Sequence, residues 1–291
     1  MSVETTCALP CCLPDRADAI KMRMLGSAHE VMACHRSPHI LGSYRLKPPC
    51  FSQLFFMHNE TLNIWTHLVG ALYFAHRTFT WVADAVSRGA LVEHPGYSVL
   101  VLLMLAASFS CMMASSTYHW RACASQQERS CFLQLDRSGI IGIIGMSFAT
   151  SITVGYSCNP YLQRAYMMLA FVVIVSTTAT LVLPKLRTHT APILITCGCA
   201  GLLPCIHWFF VARSEMLVSS AAYVVMSAVG YLGGAVFYVG QMPERWRPGY
   251  FDLFGQSHQI FHTLVLVAAA CMMEAVIGIH TLLADETLEC S

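Results

Sequence analysis

The sequence predicts an all-α integral membrane protein, a seven-transmembrane helix bundle whose N-terminus is cytosolic and whose C-terminus is extracellular or lumenal. Hydrophobic residues make up 56% of the chain and charged residues only 11%, whereas soluble proteins average about 25% charged residues. Seven apolar runs follow residue 60, each close to the 17 to 25 residues that cross a bilayer as a helix. None of them shows the alternation of a transmembrane strand, which favours a helical bundle over a barrel.

The elements follow in order from these runs. Residues 1–57 form a polar cytosolic tail, with a short surface helix expected between Ser27 and Tyr44, and residues 58–291 form the membrane domain. The tail lacks the pattern of a cleavable signal peptide. Five of the 14 cysteines lie inside predicted helices, where a thiol acts as a small apolar group, and no disulfide framework is implied. The seven helices are predicted at about 62–83, 97–119, 133–156, 163–183, 190–212, 217–240 and 257–283.

The distribution of Lys and Arg predicts the orientation of the bundle. Twelve of the 17 basic residues lie in the tail and in the three loops on the same side, while the other side holds only three. Basic residues are concentrated in cytosolic segments of membrane proteins. We therefore expect the tail to be cytosolic.

Several polar residues fall where apolar ones are expected. His119 ends the second predicted helix, Asp136 lies near the start of the third, and His258 and His262 lie in the first turns of the seventh. All three helix ends reach the cytosolic side in this topology. Ionisable groups inside a bilayer cost a few kcal/mol each, so a cluster of them indicates partners or a function.

The two histidines of the seventh helix are four residues apart, a spacing that places both imidazoles on one helix face, as in zinc-binding helices. Three histidines with an open fourth position are typical of catalytic zinc, so His119, His258 and His262 are the predicted zinc ligands. Asp136 can coordinate, hold the water at the open position, or orient a histidine. Ser115, one turn before His119, can donate a hydrogen bond to a developing oxyanion. The alternative is that these histidines are hydrogen-bonded packing residues.

The chain resembles the progestin and adipoQ receptor family, which includes the adiponectin receptors and the membrane progestin receptors. The resemblance covers about residues 34–283. It rests on the segment His58-Asn59-Glu60-Thr61-Leu62-Asn63-Ile64-Trp65-Thr66-His67, on Ser115-x-x-x-His119, on Leu135-Asp136, on Pro243-Glu244-Arg245 followed by Phe251-Asp252, and on Ser257-His258-Gln259-Ile260-Phe261-His262.

This resemblance implies a seven-helix bundle with a cytosolic N-terminus and an intramembrane zinc held at His119, His258 and His262, with Asp136 near it. The family is similar to alkaline ceramidases, which implies hydrolysis of a lipid amide such as ceramide. The expected function is therefore a zinc-dependent lipid hydrolase that responds to an extracellular hormone or lipid. The alternatives are a non-enzymatic adipokine or steroid receptor with structural zinc, and a membrane scaffold.

The expected partners are the membrane, a lipid substrate or receptor ligand, cytosolic signalling proteins and a second copy of the chain, with no nucleic acid. The plasma membrane is the expected location, with the Golgi or endoplasmic reticulum as alternatives.

Three further features carry structural predictions. Arg77 and Glu274 fall at equal depth in the first and seventh helices and are expected to form an ion pair. Asn59 is expected to cap the first helix, with Glu60 favoured there by the helix dipole. Pro204, preceded by glycines, predicts a kink or a gap for a lipid chain, or close packing by small residues.

Overall fold

A computed structural model describes residues 24–33, 36–46 and 48–284. Six helical segments in this part of the chain are long and apolar enough to cross a membrane, and α1 supplies a further helix of 27 residues. The fold class predicted from the apolar runs is confirmed. The helices are α1 (Thr61–Ser87), α2 (Ala90–Glu93), α3 (Pro95–Arg121), α4 (Gln126–Gly155), α5 (Pro160–Val182), α6 (Thr190–Cys199), α7 (Leu202–Val211), α8 (Ser214–Gly240) and α9 (Ser257–Ala284).

Local caps decide where several helices begin. The Ser125 side chain accepts a hydrogen bond from the Glu128 amide at 3.1 Å, and α4 therefore starts at Gln126, before its apolar run. Asn159 caps α5 in the same way, with Pro160 in the first helical position. The apolar run alone places the start of α4 at residue 133, because the first two turns of the helix are polar.

The span predicted at 190–212 is divided into α6 and α7 near its glycines. Pro204 lies in the first turn of α7, where a missing amide hydrogen costs little. The hydroxyl of Tyr156 donates to the Pro204 carbonyl at 2.6 Å, and a Cβ at Gly201 would lie 3.0 Å from Phe148. The break thus lies at the predicted kink and is packed against α4.

The segment before α1 folds differently from the predicted surface helix. A short 3-10 turn, Ala28–Glu30, lies between β1 (Leu25–Gly26) and β2 (Tyr44–Arg45), which form a two-stranded antiparallel pair. The chain reverses through His39 and Ser43, which have φ angles of 64° and 62°. A helix cannot pass through such left-handed positions, which explains why the pattern of apolar residues gave the wrong element here.

Helix α9 lies at the centre of the bundle, packing against α8 most extensively and also against α1, α3 and α4. Buried side chains such as Phe74, Met112 and Met273 fill the space between α1, α3 and α9. We call the end of the bundle where α1 and α9 begin the proximal end, and the opposite end the distal end. The metal centre described below lies at the proximal end.

Cys158, in the turn between α4 and α5 at the distal end, is disulfide-bonded. This disulfide departs from the sequence analysis, which implied no disulfide framework. The expectation rested on cysteines inside helices, and Cys158 lies outside them. The early cysteines, the basic residues before position 24 and the acidic C-terminal residues lie outside the described part of the chain.

Candidate metal centre

Three histidines converge at the proximal end of the bundle. His119 lies in the last turn of α3, while His258 and His262 lie in the first two turns of α9. The Nε2 atom of His258 is 3.3 Å from Nε2 of His119 and 3.2 Å from Nε2 of His262. One ligand atom from each residue lies within 4.8 Å of the others, so the three imidazoles could hold one metal ion.

Two contacts hold the helix ends that carry these residues. The buried Arg45 guanidinium donates to the carbonyls of Trp120 at 2.9 Å and His119 at 2.6 Å, at the C-terminal end of α3. Glu244 accepts from the amide of Ser257 at 2.7 Å and from its hydroxyl, at the start of α9. Each charge has the sign that its helix end favours.

The ring nitrogens that face away from the centre have partners that accept but cannot donate. His119 Nδ1 lies 2.8 Å from a carboxylate oxygen of Glu60, and His262 Nδ1 lies 3.2 Å from the backbone carbonyl of Asn63. Both Nδ1 atoms are therefore assigned the hydrogen, and both Nε2 atoms carry lone pairs directed at the centre.

This assignment leaves the centre short of protons. A neutral His258 has one hydrogen at most on Nε2, so it can donate to only one of its two Nε2 neighbours. At least one of these two contacts, at 3.2 or 3.3 Å, then lacks a hydrogen bond and leaves a lone pair unsatisfied. Tetrahedral zinc with Zn–N distances of about 2.0–2.1 Å separates its nitrogen ligands by about 3.3–3.4 Å. The donor set and the two distances at His258 therefore fit such a metal.

Asp136 and Ser115 line the same cavity as the three histidines, but they are not part of the set of mutually close ligand atoms. The Asp136 carboxylate faces the Ser115 hydroxyl and the His119 imidazole. Both side chains thus share the cavity wall with the histidines. The cavity has a volume of about 750 Å³ and is lined largely by apolar side chains of α4, α6, α7, α8 and α9.

Sequence reasoning missed the contribution of α1. Glu60 is the residue before α1 and makes no capping hydrogen bond through its side chain, and Asn59 is not the cap residue. Glu60 instead contacts His119, because its carboxylate reaches into the bundle. His67 stacks on His262 with ring centroids 3.7 Å apart and an angle of 9° between the ring planes. The spacing of residues 60, 63 and 67 on one helix face could have indicated a shared role.

The loop before α1 fixes the position of Glu60. His58 Nδ1 accepts from the Glu60 amide at 3.1 Å, and its Nε2 lies 3.2 Å from the Gln53 carbonyl. Burial, reinforced by the nearby Arg45 charge, lowers the pKa of His58 to about 4. The imidazole is thus neutral at physiological pH, as its acceptor role requires.

The predicted Arg77–Glu274 contact lies elsewhere between α1 and α9. Arg77 Nε and Nη2 each lie 2.7 Å from one oxygen of Glu274, which forms a bidentate pair. The Tyr73 hydroxyl donates to the same carboxylate at 3.2 Å, and Arg77 Nη1 donates to the Thr80 hydroxyl at 3.0 Å. This cluster is complete without a ligand.

Fold and site together define a heptahelical membrane protein with a buried centre of three histidines. The family described as Haemolysin-III related matches residues 55–273. The chain belongs to this family, and its resemblance to the progestin and adipoQ receptors is confirmed.

Several curated proteins are similar to the chain. Heptahelical transmembrane protein 1 of Arabidopsis thaliana is 35% identical over 252 residues, covering 79% of this chain and 73% of the relative. The Adiponectin receptor protein of Drosophila melanogaster is 32% identical, covering 81% and 52%. Progestin and adipoQ receptor-like protein 1 of Caenorhabditis elegans is 30% identical, covering 76% and 51%. The matches thus span about half of the last two proteins.

Proposed function

We propose that this protein is a zinc-dependent membrane hydrolase that cleaves a lipid amide such as ceramide in response to an extracellular hormone or lipid ligand. One observation carries the proposal. Three histidine nitrogens with converging lone pairs lie on the wall of a large apolar cavity that also holds a carboxylate and a hydroxyl.

The cavity suits a long amphiphile. Along α9 its lining extends from His258 to Ile279, a distance of about 30 Å at 1.5 Å per residue. The polar groups are concentrated at the proximal end, while residues such as Ile144 and Trp208 line its apolar remainder. An acyl chain would lie along the apolar part, with its amide beside the histidines.

The protein's own residues have separate roles in the proposed reaction. His119, His258 and His262 would hold the metal, which when bound supplies Lewis-acid chemistry that polarises a carbonyl and eases deprotonation of water. Asp136 accepts the proton of the attacking water and returns it to the amine that leaves. Ser115 donates a hydrogen bond to the oxygen on which negative charge develops. Water and a lipid amide thus become a fatty acid and an amine.

Arginines at the proximal end suit one product of this reaction. Arg129 and Arg137 of α4 line the cavity, as Asp136 does. Neither forms an ion pair within 4 Å in the described part of the chain. Their positive charge favours the carboxylate that amide hydrolysis releases.

We also propose that the proximal end faces the cytosol and that the protein lies in the plasma membrane, with the Golgi or endoplasmic reticulum as alternatives. The excess of basic residues in the tail and proximal loops supports this orientation. The disulfide at Cys158 supports it independently, because disulfides persist on the oxidising side of a membrane.

The second candidate is a non-enzymatic receptor for an adipokine or steroid, in which the metal only ties α3 to α9. The names of the Drosophila and C. elegans relatives favour it, since both contain the word receptor. Cytosolic signalling partners and self-association are compatible with both candidate functions and with a membrane scaffold.

The test compares purified wild type with His262→Ala. His280→Ala is the matched control, because His280 is also a buried histidine of α9 but lies at the distal end. We expect about one zinc per chain and release of fatty acid from N-acyl sphingosine in the wild type and the control, and neither in His262→Ala. Zinc without any lipid product would support the receptor, and turnover by metal-free His262→Ala would refute the proposal.

A further inference from the structure

We infer that one face of α1, formed by Glu60, Asn63 and His67, positions the metal ligands and sets the affinity of the centre, although α1 itself supplies no ligand. The three residues are spaced by three and four, so they lie along a single stripe at the start of the helix. We call this set the α1 positioning face. The inference rests on the proposed metal centre and goes beyond the proposed hydrolysis.

The first contact orients His119. Oxygen Oε2 of Glu60 accepts from His119 Nδ1 at 2.8 Å and also from the side-chain amide of Asn63 at 2.6 Å. Asn63 therefore fixes the position of the Glu60 oxygen that orients the His119 imidazole. Carboxylate contacts of this kind fix the tautomer and the ring orientation of a metal ligand and raise its basicity.

The other two contacts orient His262. The backbone carbonyl of Asn63 lies 3.2 Å from His262 Nδ1, and the His67 ring lies parallel to the His262 ring at 3.7 Å. The carbonyl fixes the tautomer, and the stacked ring restricts rotation of the imidazole. Both ring nitrogens of His67 are buried and make no hydrogen bond within the described residues. His67 therefore acts on His262 through ring stacking and not through hydrogen bonds of its nitrogens.

Helix α1 therefore holds one ligand from each of the two helices that form the centre. His119 belongs to α3 and His262 to α9, and α1 packs against both helices. The imidazoles are oriented before metal arrives, which lowers the entropy lost on binding. Loss of such supporting contacts typically weakens metal binding by 10- to 100-fold.

The first experiment measures zinc affinity by competition with a chelator in detergent-solubilised full-length protein. Glu60→Gln keeps the shape of the side chain and removes its charge, and we expect zinc to bind about 10- to 100-fold more weakly. Glu60→Asp keeps the negative charge on a shorter side chain, and its zinc affinity should lie between those of the wild type and Glu60→Gln. Glu274→Gln, the same change in the Arg77 pair, is the control and should leave zinc affinity unchanged.

A cobalt spectrum separates positioning from general destabilisation. Cobalt bound in place of zinc should show shifted visible bands in Glu60→Gln, because the basicity of the His119 ligand changes, and unshifted bands in Glu274→Gln. Unchanged affinity and unchanged bands in a folded Glu60→Gln would overturn the inference. Failure of this inference alone would leave a wild type that binds zinc. Failure of the proposed hydrolase as well would appear as a wild type that binds no metal.

The stacking contact is tested by a pair of variants. His67→Phe keeps a ring on His262 and loses no hydrogen bond, so its zinc affinity should stay within about threefold of the wild type, whereas His67→Ala should lose more than about tenfold. Recovery of affinity by Phe identifies the ring as the positioning element. Equal loss in both variants, or loss in neither, would remove His67 from the positioning face.

Discussion

Helices α1 and α9 meet at two polar clusters that differ in one respect. The Arg77–Glu274 cluster is closed, since both charged groups are paired and Tyr73 and Thr80 complete their hydrogen bonds. The histidine cluster is open, since its outer nitrogens are satisfied by Glu60 and Asn63 while its inner nitrogens face one another.

The difference shows how to separate a structural polar cluster from a binding centre inside a membrane. Unpaired polar groups are costly in an apolar environment, so a cluster completed by the protein needs nothing more. A cluster whose lone pairs converge needs a cation or a hydrogen-bond donor from outside the protein chain. The following predictions test this contrast, beginning with the largest effect.

The carboxylate beside the open cluster should matter for chemistry and not for metal binding. Asp136→Asn removes the group that accepts the proton, and we expect the rate of fatty acid release to fall by about 10²- to 10⁴-fold. Zinc content should remain at the wild-type value. A variant that loses its zinc would instead show that Asp136 is a ligand.

Metal removal should lower the stability only of a protein in which the histidine cluster is intact. A ligand present at about 1,000 times its Kd stabilises the folded state by about 4 kcal/mol, so a chelator should lower the Tm of the wild type strongly. His119→Ala, which cannot hold the ion, should start at a lower Tm and show no response to the chelator. An equal response in both proteins would place the metal elsewhere.

The closed cluster should contribute stability without affecting the metal. Glu274→Gln removes charge-assisted hydrogen bonds from Arg77 and should cost about 2 kcal/mol, seen as a lower Tm. Zinc affinity and lipid turnover should not change. A fall in zinc content at temperatures where the variant is folded would show that the two clusters are coupled through α9.

The smallest effect concerns the loop that positions Glu60. The pKa of His58 is about 4 in the folded protein and near 6.5 when exposed, so the unfolded state alone gains a proton between these values. Stability is complete above about pH 6.5 and falls as the pH drops toward 4. His58→Asn should flatten this part of the curve of Tm against pH, and an unaltered slope would contradict the assignment.

Sequence patterns predicted some features because their physics is local. The apolar runs gave the helical membrane fold, because bilayer thickness sets a minimum length for each apolar segment. The spacing of His258 and His262 placed two imidazoles on one helix face. The same reasoning failed where local signals competed, as at the polar start of α4 and in the segment before α1.

The sequence by itself determined the helical membrane fold and the histidines that meet at one depth. Only the tertiary structure decided which polar residues complete the centre, since Glu60 reaches His119 across 59 residues and Asn63 reaches His262 across 199. The physical reason is that hydrogen bonding and ring stacking depend on distances and angles between helices. Helical periodicity specifies the face on which a residue lies, but packing selects its partner.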